Sequence, residues 1–356
     1  MSPKKITVKA SGVYDVLIGS GLFSSCGEYV KGVTKAKKLG IITDDIVDSF
    51  YGKAAAESLE KAGFDVCKFV FPHGEASKSA ETLLNIWNFL CENNFTRSDC
   101  LVALGGGVVG DITGFAAASY LRGMDFVQIP TSLLAQVDSS VGGKTAIDLP
   151  GGKNLVGAFK QPKLVLCDMD MLDTLSEDFF IDGMGEVIKY GMIKSGELFS
   201  ELEKYTVDSL RKDKNALADI IAQCVSIKRD VVENDEFDTG ERMLLNFGHT
   251  LGHSIEQYYN YTGISHGRAV AKGMEMITSL AEKRGMCKEG LTEKLISCLE
   301  KYKLKIDVEP KTNQLGDACM NDKKRSGGSI NIIICSEAGK SSAVKMTVED
   351  FTDFLN

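Results

Sequence analysis

The sequence has 356 residues, of which 44% are hydrophobic and 25% are charged, and these proportions are ordinary for a globular protein of about two domains. Its formal net charge is −8 at pH 7 and no basic stripe dominates the chain, which argues against a nucleic-acid-binding protein. No apolar run reaches the roughly 18 residues that a membrane-spanning helix needs.

The first half of the chain alternates short β-branched segments with helical ones. Strands are predicted at KKLGIITDD, FDVCKFVF and CLVALGGG, and helices between them at FYGKAAAESLEKAG and SAETLLNIWNFLCENN. This alternation predicts a parallel sheet that is covered by helices and binds ligands at the carboxyl ends of its strands.

From about residue 171 onward, helical periodicity dominates. Helices are predicted at EDFFIDGMGEVIKYGMI, ELFSELEKY, NALADIIAQCVSIKRDVVEN, LLNFGHTLGHSIEQYY and GRAVAKGMEMITSLAEKRG. The apolar segment INIIIC is either a late strand or another buried segment. The predicted fold class is therefore an α/β domain over residues 1–170 followed by an all-α domain over residues 171–356.

The ten cysteines are scattered and form no C-x-x-C pair. The first residues, MSPKKITVK, contain lysines but lack the apolar region of a secretory signal peptide. We therefore expect the cysteines to be reduced, mostly core residues of a cytoplasmic protein.

The segment CLVALGGGVVGDITGFAA is predicted to be a strand, a glycine-rich turn and a helix. Gly105, Gly107 and Gly110 match G-x-G-x-x-G, in which glycines let the backbone approach a diphosphate at a helix N-terminus. Asp44, at the end of an earlier predicted strand, offers a carboxylate to a ribose, but it precedes the glycines instead of following them by about 20 residues. The pattern predicts a nucleotide site outside an ordinary Rossmann domain.

Several basic residues lie in apolar, glycine-rich sequence or in predicted helices of this acidic protein. They are Arg122, Lys144, Lys153, Lys189, Lys228, Arg242 and the pair Lys323–Lys324. An isolated lysine is most often a solvated surface residue. If these side chains converge, they suit a small anionic substrate that carries phosphate and carboxylate groups.

Two of the four histidines, His249 and His253, lie in NFGHTLGHSIE. Positions i, i+4 and i+7 of a helix share one face, so these two side chains and Glu256 project the same way. The spacing leaves two hypotheses open: both histidines bind one metal ion, or one of them faces another group. The missing internal glutamate disfavours a metalloprotease. His266 and Glu186 are further candidate ligands of a catalytic divalent metal.

Several long, ordered segments together resemble the 3-dehydroquinate synthase family, over about residues 40–330. They are GGGVVGDITGF, YLRG, QIPTSLLAQVDSSVGGKTAI, GKNLVGAF, GMGEVIKYG and LLNFGHTLGHSIE. The resemblance implies the fold that this family shares with glycerol-dehydrogenase-type enzymes, with an NAD-binding domain at 1–170 and a metal- and substrate-binding domain at 171–356. It also implies a homodimer with a small anionic sugar-phosphate substrate, and neither a nucleic-acid partner nor a membrane.

The resemblance further assigns site residues. It implies that the metal, usually Zn2+ and alternatively Co2+, is bound by Glu186, His249 and His266. It places around NAD the residues Asp44, Glu75, Lys78, Gly106, Gly107, Asp111, Thr131, Ser132, Lys144, Lys153, Thr174 and Leu175. It assigns to the substrate and catalytic pocket Asp138, Lys144, Lys153, Asn154, Lys189, Lys228, Arg242, Asn246, His253, one of Lys323 or Lys324, and Arg122 from the neighbouring subunit.

The family converts 3-deoxy-D-arabino-heptulosonate 7-phosphate to 3-dehydroquinate and phosphate in the shikimate pathway. NAD oxidises a hydroxyl transiently, phosphate leaves by β-elimination, the hydride returns, and an intramolecular aldol step closes the ring. On this interpretation His249 binds the metal and His253 faces the substrate. A single helical stripe is predicted to carry Arg242, Asn246, His249 and His253, at spacings of four, three and four.

One departure from the family pattern follows the third ligand. The family usually has His-Gly-Glu there and an apolar residue where Lys272 stands, but this sequence has His266-Gly267-Arg268. The helix dipole disfavours an arginine in the first turn of a helix, and groups around metal ligands tune metal affinity. Arg268 therefore puts the metal affinity in question, and not the fold.

Three other functions remain as alternatives. Another sugar phosphate cyclase, making a valiolone or an inosose, would act on a substrate without a carboxylate, for which Arg242 and Lys228 are poorly suited. An NAD-dependent polyol dehydrogenase of the same fold would release NADH and would not need the basic residues. An inactive binding or scaffold protein is disfavoured by the presence of Glu186, His249 and His266.

Overall fold

The computed structural model describes residues 2–311, 314–315 and 329–356. The chain divides into two compact units, one comprising Met1–Ser176 and Lys214–Phe237 and the other comprising Glu177–Asp213 and Asp238–Asn356. The sequence predicted one boundary, between residues 170 and 171. The structure instead has a boundary near residue 176 and groups residues 214–237 with the first unit.

The helices and strands follow in chain order. The strands are β1 (Lys4–Lys9), β2 (Val13–Gly19), β3 (Lys38–Asp44), β4 (Asp65–Phe71), β5 (Cys100–Gly105), β6 (Asp125–Pro130), β7 (Lys144–Leu149), β8 (Gly152–Phe159), β9 (Leu164–Asp168), β10 (Ser329–Glu337) and β11 (Lys340–Thr347). The helices are α1 (Cys26–Lys31), α2 (Asp45–Val47), α3 (Lys53–Lys61), α4 (Ala80–Glu92), α5 (Gly107–Ser119), α6 (Glu177–Lys194), α7 (Gly196–Leu202), α8 (Val207–Lys212), α9 (Lys214–Asn234), α10 (His249–Tyr258), α11 (His266–Lys283), α12 (Leu291–Lys301) and α13 (Val348–Leu355).

The first unit is built on a seven-stranded sheet with the order β1-β2-β9-β6-β5-β3-β4. β1 and β2 pair antiparallel, whereas the other neighbours pair parallel. The interior strand β5 is buried along its whole length, because helices pack on both faces of the sheet. A continuously apolar strand is typical of a parallel sheet. A separate antiparallel hairpin, β7–β8, completes the unit.

Helix α9 accounts for the difference from the predicted boundary. It packs against β1 and β2, and its buried side chains include Leu217 and Ile221. The backbone N–H of Lys9 also donates to the Glu233 carboxylate over 2.7 Å. Periodicity identifies a helix and its apolar face, but it does not identify the sheet on which that face packs.

The second unit is predominantly helical and contains α6–α8 and α10–α13. The segment INIIIC lies in β10, which pairs antiparallel with β11. This small sheet is the exception to the predicted all-α domain. Among the described residues, no helix is both long and apolar enough to cross a membrane. Nine cysteines lie in the described ranges and all nine are free thiols, as expected, while Cys319 lies outside those ranges.

Candidate functional site

Three candidate metal ligands come together in the second unit. Glu186 lies in α6, His249 is the first residue of α10, and His266 is the first residue of α11. Glu186 Oε1 lies 3.5 Å from His249 Nε2 and 3.8 Å from His266 Nε2. One ligating atom from each side chain lies within 4.8 Å of the others. Three different helices therefore supply one group of donors.

The surroundings of Glu186 fit a bound cation. Its side chain is 1% exposed, and Oε1 has no hydrogen-bond partner within the described part of the chain. A buried carboxylate oxygen is unfavourable unless a charge or a donor compensates it. The other oxygen, Oε2, pairs with the buried ammonium of Lys189. Two imidazole nitrogens facing the unpartnered oxygen form a donor set that suits a divalent metal.

A glycine contact brings α6 and α11 together at this point. A Cβ atom on Gly185, the residue before Glu186, would lie 2.7 Å from the carbonyl oxygen of Gly267, the residue after His266. The N–H of Gly267 also donates to Asp182 Oδ1 over 2.6 Å, which caps the start of α11 from within α6. Glu186 and His266 are therefore each adjacent in the sequence to one of the two glycines that fix the crossing of α6 and α11.

The prediction of one continuous helical stripe is wrong. That stripe was to carry Arg242, Asn246, His249 and His253. Glu241–Asn246 instead form a 3-10 helix, and α10 begins only at His249. Gly248 lies between them with a φ of 79°, and a Cβ on it would lie 2.6 Å from the carbonyl oxygen of Val270 in α11. The close approach of α11 requires glycine and interrupts the helix before His249.

Neighbouring charges move the pKa values of the two histidines in opposite directions. Burial lowers the pKa of His249 well below its usual value, and the ammonium of Lys189 lowers it further. Burial also acts to lower the pKa of His266, but the carboxylates of Glu256 and Glu186 together outweigh it and raise the pKa. The lowered pKa of His249 favours the neutral ring that a metal ligand requires.

A second group of candidate ligands overlaps with the first. His253, Glu256 and His266 also offer atoms within 4.8 Å of one another, and the rings of His249 and His253 are 5.4 Å apart. His253 is exposed, however, whereas the first group contains the buried, unpartnered oxygen of Glu186. Neither group contains both His249 and His253, and the first group offers the better fit to a metal.

In the first unit, the glycine-rich turn and Asp44 lie at adjacent strand ends. β3 pairs with β5, so that Thr43 lies opposite Leu104. Asp44 closes β3, while Gly106 links β5 to α5. The chain continues from β3 outward to β4 but from β5 in the other direction to β6, which makes this edge a topological switch point. Ligands of open α/β sheets bind at such points.

Two further predicted NAD residues line the glycine-rich turn. The N–H of Thr131 donates to the carbonyl oxygen of Gly105 over 3.0 Å. A Cβ atom on Gly106 would lie 3.5 Å from the hydroxyl oxygen of Ser132. Gly107 begins α5, and the first N–H groups of that helix point towards the turn. Hydroxyl and N–H donors therefore surround a turn without side chains, which suits phosphate groups.

The buried side chain of Lys78 joins α5 to the β7–β8 hairpin. Lys78 Nζ lies 2.6 Å from Asp111 Oδ2 and 2.5 Å from Asn154 Oδ1. Burial acts to lower the pKa of Lys78, but Asp111 outweighs it and the pKa is raised. Lys153, next on the hairpin, has its Nζ 3.8 Å from Glu75 Oε1. The ion pair with Asp111 favours the charged form of Lys78, and the hydrogen bond to Asn154 ties the hairpin to α5.

Two of the predicted substrate residues contact each other within the first unit. Lys228 of α9 is buried and donates to Asp138 Oδ1 over 2.7 Å and to the Asp138 carbonyl oxygen over 2.6 Å. In the second unit, Arg242 is buried and Asn246 is exposed, and both lie in the 3-10 helix before α10.

The remaining predicted residues lie in turns and at a strand start. Thr174 Oγ1 lies 2.7 Å from the hydroxyl oxygen of Tyr51, and Leu175 follows it. Lys144 is the first residue of β7 and is exposed. Arg122 is exposed too, in a turn where its φ is 65°. Lys323 and Lys324 lie outside the described residues.

Comparison with known proteins gives the family. The models described as 3-dehydroquinate synthase N-terminal and 3-dehydroquinate synthase C-terminal match residues 68–182 and 183–325. The chain belongs to the 3-dehydroquinate synthase family. Relatives named 3-dehydroquinate synthase come from Clostridium perfringens (strain 13 / Type A), 52% identical over 339 residues (95% of this chain, 96% of the relative), and Clostridium acetobutylicum, 46% identical over 347 residues (96% of each). The resemblance predicted from the sequence motifs is confirmed.

Solved structures of similar fold cover nearly the whole chain. A 2-deoxy-scyllo-inosose synthase with carbaglucose-6-phosphate, NAD+ and Co2+ is 24% identical, with a TM-score of 0.88 and 99% of each chain covered. A 2-epi-5-epi-valiolone synthase from Streptomyces hygroscopicus subsp. jinggangensis 5008 with NAD+ and Zn2+ is also 24% identical (TM-score 0.87; 99% of this chain and 98% of that one). An iron-containing alcohol dehydrogenase is 14% identical (TM-score 0.67; 98% and 97%). Such identities show the fold alone, and they confirm the predicted fold class.

This chain departs from the 3-dehydroquinate synthase pattern at Arg268 and Lys272. Both side chains pair with carboxylates that are not candidate metal ligands. Arg268 Nη2 lies 3.1 Å from Asp178 Oδ1, in the first turn of α6. Lys272 Nζ lies 2.7 Å from Glu275 Oε1 on the next turn of α11. Neither of these partners belongs to the two ligand groups.

The sequence motifs assigned no role to two acidic residues, Asp182 and Glu256, that lie near the candidate metal ligands. Asp182 caps α11, and its spacing of four from Glu186 on a predicted helix was the available signal. Glu256 was placed on the face of His249 and His253, but it was given no role. Its contact with His266 joins two helices, so spacing within one helix could not reveal it.

Proposed function

We propose that this chain is a 3-dehydroquinate synthase that converts 3-deoxy-D-arabino-heptulosonate 7-phosphate to 3-dehydroquinate and phosphate. The observation that carries the proposal is the 52% identity to a relative of that name over 95% of this chain. The group formed by Glu186, His249 and His266 supports it, because its donors surround a buried oxygen that has no hydrogen-bond partner among the described residues.

The proposed cofactors are NAD and one divalent metal ion, Zn2+ or Co2+. When bound, they would supply a reversible hydride acceptor and a Lewis acid. The glycine-rich turn and Asp44 support the assignment of NAD, because both lie at the same topological switch point. The turn offers helix N–H groups to a diphosphate, and Asp44 offers a carboxylate to a ribose. The two solved cyclases of this fold carry NAD+ with Co2+ or with Zn2+.

The basic residues are proposed to hold the anionic groups of the substrate. Lys189, Lys228 and Arg242 are all buried, and a fixed charge attracts an anion more strongly where water is excluded. Each is also restrained by its surroundings, as Lys228 is by Asp138. Restrained cations keep one pose of the phosphate and carboxylate groups through successive steps.

His253 is proposed to contact the substrate and not the metal. It is exposed, it lies one turn after His249, and its ring centroid is 6.1 Å from that of His266. An imidazole in this position can donate a hydrogen bond to a phosphate oxygen or carry a proton to it.

We also propose a homodimer in which Arg122 completes the site of the other subunit. Leu121 and Arg122 have φ values of 48° and 65°, which are unfavourable for residues other than glycine, and both are exposed. A strained turn that presents an arginine to solvent supports a role for that side chain in a contact with the other subunit.

The nine free cysteines are in keeping with a reducing, cytoplasmic compartment.

The activity is tested by supplying the heptulosonate phosphate with NAD and Zn2+ or Co2+, and measuring phosphate release and dehydroquinate formation together. We expect equal amounts of both products and no net NADH. Stoichiometric NADH without phosphate release would identify a dehydrogenase instead. Turnover only of sugar phosphates that lack a carboxylate would identify another cyclase. His249→Ala protein is the matched inactive control.

The shared site is tested by mixing two inactive variants, Arg122→Ala and His249→Ala. A mixed dimer contains one site with both native residues, so random exchange should restore about a quarter of the native activity. Sedimentation should show the dimer in each variant. No recovery after verified subunit exchange would place Arg122 in the site of its own chain, and an Arg122→Ala variant that is active before mixing would place Arg122 outside the site.

A further inference from the structure

Glu256 lies on the side of the His266 ring that faces away from Glu186. His266 Nδ1 is 3.4 Å from Glu256 Oε1, while Nε2 of the same ring is 3.8 Å from Glu186 Oε1. The two nitrogens of an imidazole point in different directions. One ring therefore bridges two carboxylates, one of which belongs to the ligand group.

His249 shows the same arrangement with a different acceptor. Its Nε2 lies 3.5 Å from Glu186 Oε1, and its Nδ1 lies 3.2 Å from the carbonyl oxygen of Phe247. A neutral imidazole carries one proton, so an acceptor at Nδ1 fixes that proton there and leaves the Nε2 lone pair for a metal. Both histidines thus have an oxygen acceptor behind Nδ1 and present Nε2 to the same carboxylate oxygen.

The burial of Glu256 argues against an incidental contact. Its side chain is 4% exposed, and a carboxylate in such a place is unfavourable unless partners compensate its charge. Glu256 lies on α10, seven residues after His249, so one helix supplies both a ligand and a group behind the ligand of α11.

We infer that Glu256 is a positioning residue: it accepts the Nδ1 proton of His266, fixes the tautomer and orients Nε2 towards the metal. This inference rests on the proposed metal site of Glu186, His249 and His266. An acceptor behind a ligating imidazole also raises its basicity, and loss of such a partner typically weakens metal binding by about 10–100-fold. Glu256 itself stays outside the ligand set.

The tautomer is tested first, on the native protein loaded with Zn2+. The chain contains four histidines, so 15N-histidine labelling gives a spectrum of only four imidazoles. We expect two rings, those of His249 and His266, to show a protonated Nδ1 and a metal-bound Nε2, and the signals of the other two rings are identified from His73→Gln and His253→Gln proteins. A metal-bound Nδ1, or a His266 ring without metal, would overturn the inference.

The energetic role is tested by measuring Zn2+ affinity through competition with a chromophoric chelator, without substrate. Glu256→Gln keeps an acceptor but loses the charge, and we expect affinity to fall about tenfold. Glu256→Met loses both, and we expect a fall of about 100-fold. The matched control is Glu275→Gln, which neutralises a partly buried acid that is paired with Lys272 on α11, and this variant should bind Zn2+ within about twofold of the native protein.

The ligand set is read from the absorption spectrum of the Co2+-loaded proteins. We expect Glu256→Gln to keep the native band pattern, because the three ligands remain. A changed coordination pattern would make Glu256 a ligand, as in the alternative group with His253, and an unchanged Zn2+ affinity in both Glu256 variants would remove any role. If the native protein binds neither Zn2+ nor Co2+, the metal proposal itself fails, and this inference fails with it.

Discussion

The main chain of Gly185 in α6 lies directly against that of Gly267 in α11, so that a Cβ on Gly185 would come within 2.7 Å of the Gly267 carbonyl oxygen. Glu186 and His266 are the chain neighbours of these two glycines. The distance between the candidate ligands is therefore set by main-chain contact, and not by flexible side chains. Main-chain contact is hard to adjust because close-packed interiors relax only partly.

Gly185→Ala should separate the two helices and weaken the metal site. We expect the free energy of unfolding of the metal-free protein to fall by roughly 1–3 kcal/mol, because overpacking exceeds the gain of about 1 kcal/mol in helix propensity. Zn2+ affinity, measured by chelator competition, should fall by about tenfold or more as Glu186 and His266 move apart.

The control for this change is Gly191→Ala on the same helix. A Cβ there would lie 3.1 Å from Phe199, which is a tight contact in a region without ligands. Its Zn2+ affinity should stay within about twofold of the native value even if stability changes. Equal losses of affinity in the two variants would show that general destabilisation, and not the helix crossing, controls the site.

The two neighbouring histidines of α10 should separate metal binding from turnover. His249→Ala should lose the metal and all phosphate release, because its Nε2 faces the unpartnered oxygen of Glu186. His253→Ala should keep about one metal ion per chain, by elemental analysis, and still lose turnover by roughly 100-fold. Metal loss in the His253 variant would favour the alternative group that contains Glu256.

Some of this site follows from the sequence, and the rest depends on non-local packing. Apolar periodicity predicted α4, α9 and α11 closely, since each buries one face, and it predicted β3 and β5, which are almost wholly buried. The edge strand β4 was also predicted, although only Phe71 in it is buried. The break at Gly248 arises because α11 approaches it, and α9 joins the first unit through contacts with β1 and β2. Neither partner lies within the local window from which helical periodicity is read.

Arg268→Ala should leave metal affinity within about threefold of the native value. The dipole argument from the sequence raised a doubt about this arginine, but its guanidinium lies 3.1 Å from Asp178 Oδ1 and the pair is largely exposed. An exposed ion pair contributes little, about 0–1 kcal/mol, to stability. A tenfold or larger change in Zn2+ affinity would mean that Arg268 acts on the ligands through the start of α11.

Lys228 and Lys214 lie on the same helix, α9, and offer a matched test of the substrate assignment. Lys228 is buried and bonded to Asp138, whereas Lys214 is 35% exposed and pairs with Asp170 and Asp173 at the surface. Lys228→Gln should lower kcat/KM for the heptulosonate phosphate by roughly 100-fold or more, because the variant loses a restrained cation that we propose to hold the substrate. It should also lower the free energy of unfolding by about 1–3 kcal/mol, since the charged hydrogen bond to Asp138 is lost.

Lys214→Gln should change kcat/KM by less than about twofold and stability by less than about 1 kcal/mol, because water and salt screen the surface pair. Both variants lose one positive charge from the same helix, so an effect of net charge alone would be equal in the two. A larger loss in Lys228→Gln would therefore reflect the specific position of Lys228. If Lys228→Gln lost stability but kept its kcat/KM, the lysine would serve only to hold Asp138, and the substrate assignment of Lys228 would be wrong.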